Sequence, residues 1–229
     1  MHVPDGFINA STSAVTGVVA AGAIAVSLRG ARRELDDRTA PLAGLVALFI
    51  FCTQMLNFPV AAGTSGHLLG GALAAVLVGP CTATLSITVV LLVQATLLAD
   101  GGITALGTNI TLMGLVGVWT GWLVFIAVRR VLPSRPLMVV PAAAVAAFVS
   151  VPTAALAFAL LFDLGGTVDV PFATVATTMV GVHTLIGIGE AVITALAVLS
   201  VVAVRPDLVH GARPSLQHRT LTIREGVAA

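Results

Sequence analysis

The most constraining feature of the sequence is a run of 61 residues, Thr39 to Ala99, that contains no formally charged side chain. Soluble domains carry roughly 25% charged residues, whereas this whole chain is 9% charged and 58% hydrophobic. A run of this length and composition is suited to a lipid bilayer and not to the surface of a soluble domain. The sequence therefore predicts an all-α integral membrane protein, with no room for a separate soluble domain.

Three arginine clusters predict the orientation of the chain. They follow the first apolar run, an apolar run near the middle of the chain, and the last apolar run. Positive charges flanking membrane spans favour the cytoplasmic side, so we expect the N-terminus outside and the C-terminus in the cytoplasm. The clusters are Arg29, Arg32, Arg33 and Arg38, then Arg129, Arg130 and Arg135, then Arg205, Arg213, Arg219 and Arg224.

The same clusters predict the number of crossings. An even number must separate the first two clusters, and Asn109–Val128 is long enough to cross only once. Thr39–Ala99 is too long for one crossing of about 20 residues, so we expect it to cross three times. Single crossings at Phe7–Leu28, Leu137–Phe162 and Val170–Val204 bring the prediction to seven transmembrane helices.

The middle crossing of this run is unusually short. It lies between a break at residues 57–66 and a second break at Gly79-Pro80, and its apolar part is His67–Val78. Twelve helical residues rise only about 18 Å, against a hydrocarbon core of about 30 Å. The missing length requires irregular backbone at membrane depth, which is tolerated only inside protein or beside a cavity. We expect His67 to begin the short helix after this irregular segment.

The last apolar run and the tail complete the predicted organisation. Val170–Val204 exceeds one span, so it either tilts strongly or breaks near Gly181, Gly187 or Gly189. Residues 1–204 are predicted to form one membrane domain. Residues 205–229 are predicted to be a polar cytoplasmic tail without order.

The N-terminus offers an unusual set of nitrogen donors. The Met1 amine, the His2 backbone nitrogen and the His2 ring can close two fused chelate rings around one metal ion. A tetragonal set of nitrogens favours Ni(II) or Cu(II), with Co(II) possible. Pro4 and Gly6 predict a turn that folds this end back along the chain. The first apolar run is longer than the core of a signal peptide, so we expect Met1 to be retained with a free amine.

Three ionisable side chains lie inside predicted spans, where such groups are costly and often functional. They are His67, His183 and Glu190. His67 could be a metal ligand or a histidine bonded to a neighbouring carbonyl. His183 and Glu190 are seven residues apart and share a helix face, so they could pair structurally, orient a metal ligand or move a proton. Asn57 begins the break that leads to His67.

Five motifs in order resemble one family along residues 1–204. The chain is similar to the CbiM/NikM family, the substrate-capture (S) components of cobalt and nickel energy-coupling-factor (ECF) transporters. The motifs are Met1-His2-Val3-Pro4-Asp5-Gly6-Phe7, Thr53-Gln54-Met55-Leu56-Asn57-Phe58-Pro59-Val60, Gly63-Thr64-Ser65-Gly66-His67-Leu68-Leu69-Gly70-Gly71, Ala99-Asp100-Gly101-Gly102-Ile103-Thr104-Ala105-Leu106-Gly107 and Gly187-Ile188-Gly189-Glu190-Ala191.

The resemblance implies a seven-helix bundle into which the N-terminal stretch inserts. It also implies a planar metal site formed by the Met1 amine, the backbone and ring nitrogens of His2, and the ring of His67. The bound Co²⁺ or Ni²⁺ would be the transported ligand and not a cofactor. Four side chains are candidates to surround and orient these ligands: Asn57, Ser65, His183 and Glu190.

The resemblance further implies partners in the cell (inner) membrane. These are a transmembrane coupling (T) protein, two ATP-binding cassette ATPases and, because this chain stops at Ala229 without the auxiliary region of some relatives, a small auxiliary membrane protein. All eleven positive side chains are arginine, and a P-loop needs a lysine. We therefore expect a transporter subunit that is not itself an enzyme. The net charge of +1 gives no sign of nucleic-acid binding.

Two other function classes stay open on the residues alone. A secondary metal permease would use Glu190 as its ion-coupling carboxylate, although no internal repeat supports such a carrier. A structural subunit would bind no ligand. The choice between nickel and cobalt is also open, since the Irving–Williams order favours Ni(II) but cellular selectivity depends on metal availability.

Overall fold

The structure is a computed structural model that describes residues 2–59 and 65–217. A π-helical stretch, Ile110–Gly117, joins two of the helices into one continuous rod, and short 3₁₀ turns cover Pro136–Met138, Pro206–Leu208 and His210–Ala212. Two-residue strands β1 (Phe58–Pro59) and β2 (Ser65–Gly66) pair antiparallel. The α-helices are α1 (Ala10–Glu34), α2 (Ala40–Gln54), α3 (Gly71–Val78), α4 (Pro80–Leu97), α5 (Leu106–Asn109), α6 (Val118–Val131), α7 (Val139–Gly165), α8 (Phe172–Val204) and α9 (Arg213–Gln217).

Five of the helical rods are long and apolar enough to cross a membrane. They are Ala10–Glu34, Pro80–Leu97, Leu106–Val131, Pro136–Gly165 and Phe172–Val204, and α2 is a shorter apolar helix of 15 residues. The chain is thus a helical integral membrane protein, as its composition predicts. The count of seven crossings and the orientation of the two termini stay predictions.

Helix α8 decides whether the last apolar run breaks at a glycine or stays continuous. α8 runs unbroken for 33 residues, or roughly 50 Å at 1.5 Å per residue. Gly181 and Gly189 therefore lie within regular helix and do not interrupt it. Because the rod is longer than the hydrocarbon core of about 30 Å, α8 must tilt or extend beyond it.

The short helix α3 forms the centre of the bundle, and all eight of its residues are buried. It is surrounded mainly by α4, α6 and α7. Small residues permit close packing of the helices: a Cβ added at Gly121 on α6 would lie 2.7 Å from the Cβ of Ala72. α7 contributes a buried alanine face comprising Ala142, Ala143, Ala146 and Ala147.

Glu34, which the sequence did not mark as important, stabilises the break between α3 and α4. The Glu34 carboxylate, at the end of α1, accepts hydrogen bonds from the Cys81 N–H at 3.0 Å and the Thr82 N–H at 2.7 Å. These are otherwise unpaired amides of the first turn of α4, where negative charge is favourable. Gly79 has φ +98°, and a Cβ there would lie 2.5 Å from Cδ of Glu34. Glycine is therefore required at this break.

The segment after α8 differs from the predicted disordered tail. Residues 206–217 fold in short turns against the bundle, with Val209 and Ala212 fully buried. The Arg213 guanidinium donates to the backbone oxygen of Glu34 at 3.0 Å. The apolar residues within this polar stretch explain the difference, because they find a surface to pack on. Residues 218–229 lie outside the described part, so the prediction for them is untested.

Candidate metal centre

The chain from His2 onward enters the bundle, and its backbone is held there by Asn109. Oδ1 of Asn109 accepts from the Val3 N–H at 2.8 Å, and its Nδ2 donates to the Val3 oxygen at 3.1 Å. The Gly102 N–H donates to the same oxygen at 2.9 Å. His2, Val3 and Asn109 are all buried. These bonds satisfy backbone groups that would otherwise be unpaired inside the protein.

A turn at residues 4–7 brings the chain from this buried segment to the start of α1. Gly6 has φ +76°, and the Phe7 N–H donates to the Pro4 oxygen at 3.4 Å. The turn is anchored by Asp5, whose carboxylate accepts from the Thr104 N–H at 2.8 Å and from the Thr104 hydroxyl. The Pro-Asp-Gly signal in the sequence therefore produces the predicted turn, and Asp5 fixes it to the loop after α4.

The His2 ring lies between two side chains. Nε2 is 3.1 Å from Oε1 of the buried Gln94, and Nδ1 is 3.1 Å from Oδ1 of Asp100. The second pair is close but not aligned as a hydrogen bond. The pKa of the Asp100 carboxyl lies below its usual value, chiefly because of its contact with the His2 ring, and the Asn57 side chain acts in the same direction.

These contacts place His2 Nδ1 beside a carboxylate. An amide oxygen can only accept, so His2 Nε2 carries the proton and donates it to Gln94. In a neutral ring, Nδ1 then carries a lone pair that faces the Asp100 carboxylate. Two acceptors 3.1 Å apart repel one another unless a cation is shared between them. A metal ion would be such a cation, and Nδ1 is the nitrogen that a chelate through the His2 backbone would use.

The His67 ring is fully buried and is also left with one free nitrogen. Its Nδ1 is 2.8 Å from the Leu68 oxygen, so Nδ1 carries the proton and Nε2 carries a lone pair. Nε2 has no hydrogen-bond partner among the described residues. Of the two interpretations of His67, the hydrogen bond to a neighbouring carbonyl is present, whereas its role as a metal ligand stays a prediction.

The two imidazoles pack against one another. Their ring centroids are 4.3 Å apart, and the rings are stacked with an interplanar angle of 24°. Two nitrogens bound to one ion lie at most about 4 Å apart, because a metal–nitrogen bond to histidine is about 2.0–2.1 Å. Among the described residues, no group of three or more His, Cys, Asp or Glu side chains is placed to hold a metal. A site here therefore needs backbone or terminal nitrogens in addition to these rings.

The segment that follows His67 is clamped from two helices. The Glu190 carboxylate on α8 accepts from the Leu69 N–H at 2.6 Å and the Gly70 N–H at 2.9 Å. The Gln54 amide on α2 donates to the Leu69 oxygen at 2.9 Å. α3 begins only at Gly71, so the prediction that His67 starts the helix was wrong by four residues. Gly70 ends the extended segment with φ +75°, which explains the delay.

Glu190 therefore acts on the backbone beside His67 and not on a histidine ring. No hydrogen bond or ion pair in the described part of the chain joins it to His183. The His183 Nδ1 is 2.8 Å from the Met179 oxygen, and its Nε2 has no hydrogen-bond partner in the same part of the chain. The suggested His183–Glu190 hydrogen bond is therefore not formed, and an orienting role of Glu190 toward a metal ligand stays a prediction.

The remaining predicted site residues are only partly described. The Asn57 side chain contacts the Asp100 carboxylate, which places it beside the His2 environment. Ser65 forms part of β2, but its side chain lies outside the described part, as does the whole of Met1. Their assigned roles stay predictions.

Asn109, Gln94 and Asp100 are the important residues that the sequence analysis did not assign to the site. Asn109 and Gln94 carry polar amides in otherwise apolar helical segments, and this polarity is the sequence feature that could have indicated a role for them. Asp100 lies within the family motif at residues 99–107, but nothing in the sequence placed it beside His2. Their contacts with His2 and Val3 join residues at least 92 positions apart, so local patterns do not reveal them.

Comparison with known proteins finds that this chain is similar to metal transport proteins. A putative metal transport protein of Haloquadratum walsbyi is 39% identical over 91% of this chain and 93% of its own length. A putative fused nickel transport protein, NikMN, of Archaeoglobus fulgidus is 34% identical over 91% of this chain and 68% of its own length. The crystal structure of a truncated transition metal transporter is similar with a TM-score of 0.82 and 29% identity, covering 89% of this chain and 99% of that one.

The family model of CbiM, described as a cobalt uptake substrate-specific transmembrane region, matches residues 2–208. That range includes His2, His67 and every residue that clamps them. The chain therefore belongs to the CbiM family, and it is a cobalt or nickel transport protein of the CbiM/NikM type.

Proposed function

We propose that this chain is the substrate-capture subunit of an ECF-type importer and that it binds Co²⁺ or Ni²⁺ from outside the cell. The observation that carries the proposal is the pair of buried imidazoles of His2 and His67, each with one ring nitrogen free of aligned hydrogen bonds among the described residues. Buried polar atoms normally have partners. Two ring nitrogens without aligned hydrogen bonds, on adjacent rings, therefore suit a shared ligand that contributes a positive charge.

The proposed donors are His2 Nδ1, His67 Nε2, the His2 backbone nitrogen and the Met1 amine. Gln94 would hold the His2 ring by its other nitrogen, and the Leu68 oxygen would hold the His67 ring in the same way. Such contacts fix the tautomer and the orientation of ligating histidines. A set of four nitrogens favours Ni(II) and tolerates Co(II). The ion is the cargo, and each donor must lose its proton to bind it.

Energy for release and transport would come from partner subunits: a transmembrane coupling protein and two ATP-binding cassette ATPases in the cell membrane. The chain has no lysine with which to build a P-loop. The fused form of the Archaeoglobus fulgidus relative is consistent with association with a further module, and a small auxiliary membrane protein is the proposed equivalent here.

The binding proposal is tested by metal titration of the purified chain with its native N-terminus. We expect one ion per chain, and we expect His67→Ala to lose at least about tenfold in affinity, since second-shell losses alone reach that size. His210→Ala is the matched control, because His210 contacts Trp122 and not His2. Wild-type affinity in His67→Ala would contradict the proposed site.

The coupling proposal needs a separate test. Proteoliposomes that contain only this chain should not accumulate Ni²⁺ or Co²⁺, with or without an ion gradient. Addition of the coupling protein and the ATPases should give uptake that depends on ATP. Accumulation by the chain alone without nucleotide would contradict the ECF assignment and favour a secondary permease.

A further inference from the structure

A cavity lies far from the histidine pair, at the end of the bundle that is predicted to face the cytoplasm. Its volume is about 430 Å³, and it lies between α6 and the segment at residues 210–214. Asn109 and Arg129 occupy one continuous helical rod and are twenty residues apart, which corresponds to roughly 30 Å. The cavity is therefore separate from the candidate metal centre.

The charged side chains that line this cavity are all arginines. In the part of the chain that the structure describes, Arg129, Arg130 and Arg213 contribute to its wall, and no aspartate or glutamate does. Arg129 donates to neutral acceptors, the Pro133 oxygen and the Ser215 hydroxyl, both at 3.1 Å. Arg130 has no carboxylate within 4.0 Å among the described residues. Arg213 is 4.0 Å from the Asp36 carboxylate, whereas Arg129 and Arg130 form no ion pair with a carboxylate of the described residues.

The deeper wall of the cavity is apolar and aromatic. Trp122, Phe125, Ile126 and Arg129 follow one another at helical spacing on the same face of α6. The Trp122 ring stacks on Phe125 at 5.3 Å between centroids and contacts His210 at 5.5 Å. Trp122 lies seven residues before Arg129, about 10 Å deeper along the helix axis.

We propose that this cavity binds an anionic phospholipid, with its phosphate on the arginines and the upper part of its acyl chains against Trp122 and Ile126. Guanidinium groups match phosphate geometry, and basic pockets between helices on the cytoplasmic side are suited to lipid headgroups. An acidic segment of a partner protein would satisfy the arginines equally well. Such a polar segment would not fill the apolar wall, which continues toward the membrane interior.

The positive-inside rule alone does not explain this arrangement. That rule accounts for arginine at the cytoplasmic end of a span, and the C-terminus of a helix favours cations. Neither effect requires three arginines to surround one cavity with a tryptophan in its wall. Arg33, in the last turn of α1, satisfies both effects outside the cavity, and it therefore provides a matched control.

The two tryptophans of the chain allow a direct test. Trp119 lies outside the cavity and bonds to Thr84, so Trp119→Phe leaves Trp122 as the single fluorophore. The experiment adds brominated phosphatidylglycerol or brominated phosphatidylcholine to this full-length variant in detergent and measures quenching of Trp122. We expect the anionic lipid to quench at a lower mole fraction than the zwitterionic lipid.

The arginine variants identify the source of the preference. Arg130→Gln, at an exposed position, should reduce the preference for phosphatidylglycerol about fivefold, the factor for one arginine near an anionic surface. Arg33→Gln, with the same change in charge, should leave it unchanged. An unchanged melting temperature shows that both variants are folded. An equal loss in the two variants would overturn the proposal, because bulk charge would then explain it, and so would equal quenching by the two lipids.

A final arm distinguishes a lipid from free phosphate. Inorganic phosphate at about 10 mM, compared with sodium chloride at the same ionic strength, should not displace the brominated phosphatidylglycerol. Displacement by phosphate alone would show that the apolar wall contributes nothing, and it would overturn the assignment to a lipid.

Discussion

Asn109 binds the backbone of Val3 with both ends of its side-chain amide, accepting from the N–H at 2.8 Å and donating to the oxygen at 3.1 Å. The two residues are 106 positions apart. This clamp fixes the residue directly after His2, so the placement of the His2 ring depends on a helix from the middle of the chain. Metal binding is therefore expected to depend on Asn109 even though it supplies no proposed ligand.

Asn109→Ala should weaken Ni²⁺ or Co²⁺ binding by about 10- to 100-fold. The substitution leaves the buried Val3 amide without its partner, which costs about 1–3 kcal/mol, and each 1.4 kcal/mol corresponds to a factor of ten. The measurement is metal titration of the purified protein. Asn9→Ala is the control, because Asn9 caps α1 through the Thr12 N–H and should affect stability only. An affinity equal to that of the wild type in Asn109→Ala would exclude the clamp as a determinant.

Glu190→Gln should weaken metal binding roughly 10–100-fold, as loss of an orienting contact does. A glutamine can accept only through its single oxygen, so one of the amides of Leu69 and Gly70 loses its acceptor. The segment after His67 is then held less firmly. Affinity per folded chain, measured together with the melting temperature, separates the two roles. Unchanged affinity with a collapse in yield would make Glu190 purely structural.

Gly70→Ala should destabilise the protein, while Gly181→Ala should not. Gly70 has φ +75°, and a Cβ there would lie 2.7 Å from Cγ1 of Ile50. A left-handed conformation alone costs a non-glycine residue about 1–2 kcal/mol. Gly181 lies within α8 with nothing near its Cβ position, where alanine is favoured by roughly 0.5–1 kcal/mol. Thermal melting in detergent checks both predictions. Equal melting temperatures for Gly70→Ala and Gly181→Ala would contradict the assigned backbone geometry.

Asp5→Ala should lower metal affinity by a similar factor at every pH between 5 and 8, because it removes the oxygen that anchors the turn after His2 to Thr104. The pKa of Asp5 lies below its usual value of 3.8, chiefly because of the hydrogen bond from the Thr104 hydroxyl. A depressed carboxyl pKa gives a contribution that is complete above the usual value and is lost only as the pH falls below it. Because each donor must lose its proton to bind the metal, we expect affinity to fall as the pH drops through the imidazole range, and that fall must come from the metal ligands. Titrations at several pH values should give parallel curves, and a changed midpoint in the variant would contradict this division.

Much of the fold follows from the sequence because it depends on local composition. The charge-free run, the Gly79-Pro80 break and the short helix after His67 are properties of neighbouring residues. The start of that helix was misplaced because the chain stays extended as far as Gly70, where Glu190 and Gln54 hold the preceding backbone. The packing of residues 206–217 was missed for a similar reason, since a polar composition hid two buried apolar side chains.

The site itself was predictable only in part. His2 and His67 are marked by their chemistry and by the family motifs. The contacts that hold them come from α2, α4, α8 and the rod that begins at α5, and they join residues separated by as many as 121 positions. No periodicity along the chain encodes such pairings. Glu190 shows the consequence: its burial was predicted, but its partners are backbone amides and not the histidine seven residues before it.

The most direct test of the proposed donor set is a change at the N-terminus, because the chelate needs a free amine one peptide bond from His2. The measurement is metal content and uptake for the native N-terminus, for a chain with a retained N-terminal tag, and for a chain with a C-terminal tag. The native and C-terminally tagged forms should bind and import Ni²⁺ or Co²⁺, and the N-terminally tagged form should do neither. A single added residue should allow binding without uptake, because the amine, two backbone nitrogens and the His2 ring can then chelate without His67. Full uptake with a retained N-terminal tag would contradict the proposed site.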